Sequence, residues 1–115
     1  MKIAVFSDIH GNIEALQKVM EDIKRADVDK IYCLGDLVGY GPYPNEVIEL
    51  IKENEIETVM GNYDQGVGFD LDDCGCAYKE EDKKKMGDKS LAWTQKQVTD
   101  ENKEFLKTLN ENIKF

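Results

Sequence analysis

The stretch KIAVFSDIHGN, residues 2–12, sets the fold that we predict for this chain. Residues 2–6 form a short apolar run with β-branched side chains, which is typical of a parallel strand buried on both faces. Asn12 then stands where a helix cap is expected. Apolar residues follow it at helical spacing, at Ile13, Leu16, Val19, Met20 and Ile23. The stretch therefore predicts a strand that leads directly into an amphipathic helix.

The same alternation continues through residues 1–64. Residues 31–34 and 58–60 are two more short apolar runs, and residues 47–51 between them carry apolar side chains at helical spacing. Strand, helix, strand, helix and strand at these lengths predict a βαβαβ unit with right-handed crossovers. We therefore predict an α/β fold with a parallel sheet and flanking helices.

The second part of the sequence, residues 65–115, predicts a loop and helices that belong to the same single domain. Residues 66–75 are rich in glycine and aspartate and predict a loop, whereas residues 78–86 are densely charged and predict a solvated helix. Trp93, the only tryptophan, is expected to anchor the packing of this part.

Two further features complete the predicted architecture. Thr99 begins a predicted helix whose inner face carries Phe105, Leu106 and Leu109. Residues 113–115 resemble the opening of another strand. Because a parallel sheet normally has both faces covered, we expect one face of this sheet to be apolar and uncovered.

Composition limits the class of protein. A chain of 115 residues with 41% hydrophobic and 34% charged residues fits one small globular domain. A formal net charge of -9 argues against general nucleic-acid binding, although bound divalent cations would still admit a phosphorylated substrate. No apolar run is long enough to span a bilayer, and the sequence starts directly with the strand-like segment, so we expect a cytoplasmic protein.

The three cysteines do not suggest a disulfide framework, because their number is odd. Cys33 lies in an apolar run, so we expect a buried thiol. Cys74 and Cys76 form a C-x-C pair, whereas zinc and redox sites usually use C-x-x-C. We interpret that pair as two reduced thiols.

Polar side chains follow each of the three predicted strands. Asp8 and His10 follow the first strand, Asp36 follows the second, and Asn62 and Asp64 follow the third. In open parallel sheets the carboxyl ends of the strands share one edge, where ligands bind. Asp8 and His10 are two residues apart, so in an extended segment both point to one side. We therefore expect these side chains to meet.

Each of these features also has a structural explanation. Asp8 alone can cap the following helix, a lone histidine is more often structural than a ligand, and Gly35-Asp36 and Gly61-Asn62 are ordinary turn pairs. Their combination at three successive strand ends favours a metal site instead. Gly11, Gly35 and Gly61 allow the tight turns that such an edge needs. Carboxylate, imidazole and amide ligands together suit Mn²⁺, Fe²⁺ or Zn²⁺.

The motifs D-x-H at residues 8–10, G-D at 35–36 and G-N-x-D at 61–64 resemble the opening half of the calcineurin-like metallophosphoesterase family. SDIHGN and CLGDLVGYGP, at residues 7–12 and 33–42, strengthen this resemblance. The segment from DCGCAY to SLAWT resembles a bacterial branch with G-N-Y-D. The resemblance implies the first half of a metallophosphoesterase α/β sandwich. It also implies hydrolysis of a phosphomonoester or phosphodiester with two divalent ions of manganese, iron, zinc or nickel.

The resemblance also implies a role for each motif residue. Asp8 and His10 would bind the first metal, Asp36 would bridge both metals, and Asn62 would bind the second metal through its side-chain oxygen. The metal pair would clamp the substrate phosphate and activate a water for in-line attack. Asp64 would orient the preceding residue, which in that family is a histidine that stabilises phosphoryl oxygens or protonates the leaving group.

Tyr63 stands at the position of that histidine. A phenol donates a hydrogen bond, but with a reference pKa of about 10 it does not carry the positive charge of an imidazolium. We therefore expect Tyr63 to give weaker or different catalysis, or to stack on a base or sugar of the substrate.

A second departure concerns the metal ligands themselves. The family continues with one histidine in an H-G segment and two in a G-H-x-H segment, whereas His10 is the only histidine here. Four of the seven ligand positions are thus present. We expect incomplete metal binding and little activity from this chain alone. The substrate, a phosphorylated small molecule or a phosphoprotein, stays open.

Two alternatives remain at this point. The chain could be a catalytically silent half-domain that binds metal or a partner, either a second copy or a complementary C-terminal half, through its uncovered sheet face. A flavodoxin-like or receiver-like domain explains Asp8 and Asp36 but not His10 or Asn62. The loop of residues 39–44, with two tyrosines, either lines the site or is a rigid turn, and we favour the turn.

Overall fold

The computed structural model describes residues 1–72 and 81–111, and at its centre lies a parallel sheet with strand order β1-β2-β3. The strands are β1 (Ile3–Phe6), β2 (Lys30–Cys33) and β3 (Glu57–Thr58). Cys33 at the end of β2 pairs with Phe6 on one side and Thr58 on the other. The predicted parallel α/β sheet is confirmed, and its strands end within one or two residues of the predicted bounds.

Helices connect the strands in the predicted order. They are α1 (Ile13–Ala26), α2 (Pro44–Glu53), α3 (Asn62–Gly68), α4 (Glu81–Gln97) and α5 (Asp100–Lys107). Helices α1 and α2 cross over between consecutive strands, and α2 also contacts α4 and α5. The βαβαβ unit is therefore confirmed, and a helical part follows it.

Local sequence accounts for where these helices begin. The Asn12 side chain accepts a hydrogen bond from the Ala15 amide at 3.0 Å, and Thr99 accepts one from the Asn102 amide at 3.2 Å. Both are capping bonds, each worth about 1 kcal/mol. Pro44 opens α2 at a position where its missing N–H removes no helical bond.

Helix α3 occupies part of the segment for which the sequence predicts a loop, so that prediction is wrong for residues 66–68. The reason is close packing against α5. A Cβ atom on Gly68 would lie 3.1 Å from the Leu106 Cβ atom, which is tighter than nine in ten real Cβ contacts. The glycine thus serves helix packing rather than a turn. Cys74, Cys76 and the rest of that predicted loop from residue 73 onward lie outside the described residues.

The prediction that Trp93 anchors the packing is also wrong, because 43% of its surface is exposed. Helix α4 turns Leu91 and Thr94 into the core, and Val98 directly after the helix continues this spacing; all three are buried. Trp93 lies off this stripe because the spacing of the three buried residues follows the helical period. The predicted charged helix is present from Glu81 onward, and residues 78–80 lie outside the described part.

The two faces of the sheet differ in burial. Ile3 and Val5 of β1 are exposed, Val5 by 50%, whereas Ala4 and Phe6, which alternate with them, are half-buried. Helices α1 and α2 contact each other and therefore lie on the same face of the sheet, as two crossovers of the same hand require. The prediction that β1 is buried on both faces is therefore wrong for the described structure. Tyr32, which pairs with Val5 and lies on the same face, is only 6% exposed, so an apolar face left uncovered across the whole sheet stays a prediction.

The end of the described chain returns to the sheet. Asn110 forms a parallel bridge with Val59, and the Met60 amide donates to the Asn110 carbonyl at 2.7 Å. The predicted strand at residues 113–115 lies outside the described residues. Within residues 1–72 and 81–111, no helix combines the length and apolar character that crossing a membrane requires.

Candidate metal centre

The loops that follow β1 and β2 are held side by side by backbone hydrogen bonds. The Asp8 amide donates to the Gly35 carbonyl at 3.0 Å, and the His10 amide donates to the Asp36 carbonyl at 2.9 Å. These bonds continue the pairing of the two strands beyond their ends. They bring the D-x-H and G-D motifs to one edge of the sheet, where the sequence places them.

Three of the predicted ligands come together at this edge. One potential ligand atom from each of Asp8, His10 and Asp36 lies within 4.8 Å of the other two. Nε2 of His10 is 3.5 Å from Oδ1 of Asp8. Asp8 is exposed and the other two are half-buried, so the cluster opens to solvent on one side.

The backbone at these three residues is unusual. Asp8, His10 and Asp36 have φ angles of 58°, 48° and 56°, all in the left-handed region. The expectation that Asp8 and His10 lie in an extended segment is therefore wrong, and their side chains meet because the chain turns at both residues. Non-glycine residues seldom adopt this conformation, and it concentrates at functional sites.

The protonation of His10 follows from its contacts. Its Nδ1 atom lies 3.0 Å from the backbone carbonyl oxygen of Val38. A carbonyl oxygen only accepts hydrogen bonds, so Nδ1 carries a proton and Nε2 is the ring nitrogen that is left to bind a metal. Histidines that bind metals usually have this kind of bond on the other ring nitrogen. His10 is thus prepared to offer Nε2 on the side of Asp8.

Asp64 lies behind the cluster and is fully buried. Its carboxylate accepts hydrogen bonds from the backbone amides of Asp36, Leu37 and Gly61 at 2.8, 2.9 and 3.0 Å. Burial raises the pKa of this carboxyl to about 7, and the hydrogen bond from Gly61 opposes that shift most strongly. Asp64 therefore ties the loop after β2 to the loop after β3, and through these amides it positions Asp36.

Asn62 is exposed at the start of α3, between two residues that contact Asp36. The Tyr63 amide donates to Oδ1 of Asp36 at 3.1 Å, and a Cβ atom on Gly61 would overlap the same carboxylate. The third strand end thus reaches the same edge as the other two. That Asn62 binds a metal remains a prediction.

Tyr63 is only 3% exposed. Its ring is edge-on to His10 with centroids 5.5 Å apart, and it lies 5.1 Å from the ring of Tyr40. Gly39 makes room for it, because a Cβ atom there would overlap the Tyr63 ring. Such burial leaves little ring surface for stacking on a substrate and supports a role in packing against His10.

Tyr40 is a site residue that the sequence analysis did not single out. Its ring meets His10 in a T-shaped arrangement with centroids 5.6 Å apart, and about half of its surface is exposed. The loop of residues 39–44 therefore turns the chain and also lines the site, although we favoured a turn alone. Glycines on both sides of Tyr40 are the sequence feature that indicates close packing of the backbone in this loop.

The donor set fits a divalent cation. Two carboxylates and one neutral imidazole are hard and intermediate ligands that suit manganese, iron or zinc. Two negative charges in one small cluster repel each other unless a cation lies between them. Asp8, His10 and Asp36 would hold one ion, and a second ion beside Asp36 and Asn62 would need further donors.

Comparisons with known proteins agree with this geometry. A family model of calcineurin-like phosphoesterases matches residues 1–112. The uncharacterized protein MJ0912 of Methanocaldococcus jannaschii is 46% identical over 116 residues, which cover 97% of this chain and 45% of that protein. The symmetrical bis(5'-nucleosyl)-tetraphosphatase of Baumannia cicadellinicola is 34% identical over 67 residues, or 56% of this chain and 23% of that enzyme.

A solved structure also matches. The crystal structure of a metallophosphoesterase from Sphaerobacter thermophilus has a TM-score of 0.68 at 34% identity, over 95% of this chain and 41% of that one. The chain spans less than half the length of each of these proteins. Since the family model covers nearly all of its residues, the chain belongs to the calcineurin-like phosphoesterase family.

Proposed function

We propose that the protein is a metal-dependent hydrolase of phosphoesters and that this chain carries the first four ligands, Asp8, His10, Asp36 and Asn62. The observation that supports this most directly is the convergence of Asp8, His10 and Asp36, whose potential ligand atoms lie within 4.8 Å of one another. Family membership supports the reaction class.

Each residue at this site has its own proposed role. When bound, divalent cations supply positive charge for the phosphoryl oxygens and acidify a water molecule. His10 offers Nε2 as a neutral ligand because Val38 holds the proton on Nδ1. Asp64 acts as a positioning residue, since its carboxylate holds the amides of both neighbouring loops. Tyr63 packs against His10 and restricts its ring.

The substrate that we propose is a phosphorylated small molecule. The similar tetraphosphatase carries a nucleotide substrate in its name, which supports this class over a phosphoprotein. His10 is the only histidine, so the histidines that complete such a site in the family must come from residues outside this chain. We expect this chain alone to bind one metal ion weakly and to show little turnover.

The alternative is a silent half-domain that associates through its sheet. One observation favours it: Ile3, Val5 and Leu34 are all exposed, and Ile3 and Val5 point away from the covered face. A face of this kind suits a second copy or a complementary chain. Association through this face is compatible with a phosphoesterase as well.

Manganese binding tests the proposal. Isothermal titration calorimetry of the chain with Mn²⁺ is expected to give binding that Asp36→Asn and His10→Ala each weaken by about tenfold or more. Glu49→Gln, an exposed carboxylate on α2, is the matched control and should leave the affinity unchanged. Equal Mn²⁺ affinity in all four proteins would contradict the proposal.

A further inference from the structure

A pocket of about 310 Å³ lies beside the candidate metal centre. It is lined by Tyr40, Met86, Lys89, Ser90 and Trp93, and we call it the aromatic pocket. Tyr40 belongs to both sites, because its ring also meets His10 with centroids 5.6 Å apart. The organic part of a molecule bound at the metal centre could therefore reach this pocket.

The walls of the aromatic pocket are large apolar side chains that remain exposed. Trp93 is 43% exposed, Tyr40 52% and Met86 67%. Single exposed apolar residues are ordinary, whereas three that line one concavity offer an apolar surface to a small ligand. Trp93 is the only tryptophan, and helix α4 presents it here rather than to the core.

Tyr40 is held in an unfavourable backbone conformation. Its φ angle of 64° lies in the left-handed region, which is rare for a bulky residue. Its amide donates to Oγ of Ser90 at 2.7 Å, and this bond fixes the loop to α4. Tyr40 lies in the loop of residues 39–44 and Trp93 lies in α4. A hydrogen bond joins these two elements, so the pocket walls are preformed.

We propose that the aromatic pocket binds the planar ring of a phosphoester substrate, so that the substrates are phosphoesters of the nucleotide type. The phosphate would lie at Asp8, His10 and Asp36, and the base would lie against Tyr40 and Trp93. This inference rests on the proposed function and extends it to the organic part of the substrate.

Size and charge favour this occupant. A volume of about 310 Å³ is at the lower end of small-molecule sites, which suits one fused ring better than a helix or a second domain. Tyrosine and tryptophan faces bind any base by stacking, and one such contact is worth about tenfold in affinity. The Lys89 ammonium at the same pocket favours an anionic ligand in a chain whose net charge is -9.

Fluorescence offers a direct test, because all tryptophan emission comes from Trp93. The chain with Mn²⁺ is titrated with AMP and, separately, with ribose 5-phosphate, which has the sugar and phosphate but no base. AMP is expected to quench Trp93 and ribose 5-phosphate is not. By calorimetry, AMP is expected to bind about tenfold more tightly than ribose 5-phosphate.

Substitutions test which residues cause the preference for AMP over ribose 5-phosphate. Trp93→Leu and Tyr40→Leu are each expected to remove most of the AMP preference in calorimetry, and Trp93→Phe is expected to retain most of it. Phe69→Leu is the matched control, because Phe69 is also an exposed aromatic side chain but does not line the pocket. It should keep the full preference.

The outcomes separate this inference from the proposed function. If Asp36→Asn weakens Mn²⁺ binding but AMP and ribose 5-phosphate bind alike, the aromatic pocket does not take a base and the inference is wrong while the proposed function stands. If Asp36→Asn leaves Mn²⁺ binding unchanged, the proposed function fails. Adenosine is then titrated without metal to test whether the aromatic pocket binds a base. If adenosine does not quench Trp93 fluorescence, the inference is overturned as well.

A second copy of the chain is the competing occupant. In that case Trp93 emission would change with protein concentration, Trp93→Leu would lower the sedimentation coefficient, and AMP would bind no better than ribose 5-phosphate. That combination would overturn the inference.

Discussion

The backbone carbonyl oxygen of Val38 accepts a hydrogen bond from Nδ1 of His10 at 3.0 Å, and this bond sets the ring nitrogen that is available to a metal. Val38 is buried in the loop after β2, so the ring of a residue from the first strand end is oriented by the second. The orientation is present before any ion binds, which reduces the reorganisation that binding requires.

The tautomer of His10 can be measured directly, because the chain has one histidine. Long-range ¹H–¹⁵N correlation spectra are expected to show a protonated Nδ1. Addition of Zn²⁺ is expected to shift the Nε2 resonance most. A ring that carries its only proton on Nε2 would be incompatible with the described hydrogen bond.

Asp64→Asn is expected to destabilise the fold by about 2–3 kcal/mol. The carboxylate accepts three backbone N–H bonds, and an amide that replaces one oxygen with NH₂ must leave part of them unmade. Urea unfolding measures the difference. Asp22→Asn is the control, because Asp22 is exposed and pairs only with Lys18 across one helical turn, so its effect should stay within about 0.5 kcal/mol. Equal losses in both variants would refute the role of Asp64.

Gly61→Ala is expected to weaken Mn²⁺ binding by about tenfold or more. The φ angle of Gly61 is an ordinary -84°, so an added methyl group acts only through space, and it would overlap the Asp36 carboxylate. Calorimetry with Mn²⁺ measures this loss. Gly68→Ala crowds Leu106 instead, away from the cluster, and is expected to lower stability while leaving Mn²⁺ affinity unchanged.

Cys33 is expected to resist thiol reagents in the folded protein. It is fully buried, and burial raises the pKa of its thiol to about 12, so almost no thiolate forms at neutral pH. In a chain with Cys74→Ser and Cys76→Ser, reaction with a disulfide reagent should be about a hundredfold slower in buffer than in guanidinium chloride. Rapid labelling in buffer would show that the core around β2 opens readily.

The exposed face of the sheet predicts association. Sedimentation of the chain is expected to show self-association that Val5→Lys abolishes, because a charge on this face cannot be buried against a second copy. Phe69→Gln removes an exposed apolar side chain elsewhere and should leave the association unchanged. A strictly monomeric chain at high concentration would argue against a second copy as the partner.

The order of the strands and the convergence of their ends could be predicted from the sequence, because both depend on local patterns. The apolar runs around Val5 and Cys33 mark strands, and Asn12 marks the start of a helix whatever the rest of the chain does. Parallel connection then brings the residues after each strand to one edge.

The errors concern features that depend on distant contacts. Neither Asp8 nor His10 carries a local sign of positive φ, because the left-handed turns are held by bonds to the loop of Gly35 and Asp36. Gly68 looked like a loop residue because its partner across the helix interface lies far away in the sequence. Trp93 was assigned to the core by its residue type, whereas the helical period of α4 places it outside.

The bonds of Asp64 also determine when the site can form during synthesis. Its partners Asp36 and Leu37 precede it by 28 and 27 residues, so the loop after β2 is fixed only after the chain has been synthesised through α3. Until α3 has docked, the amides of Asp36 and Leu37 lack this acceptor, and the loop that carries Asp36 is held less firmly.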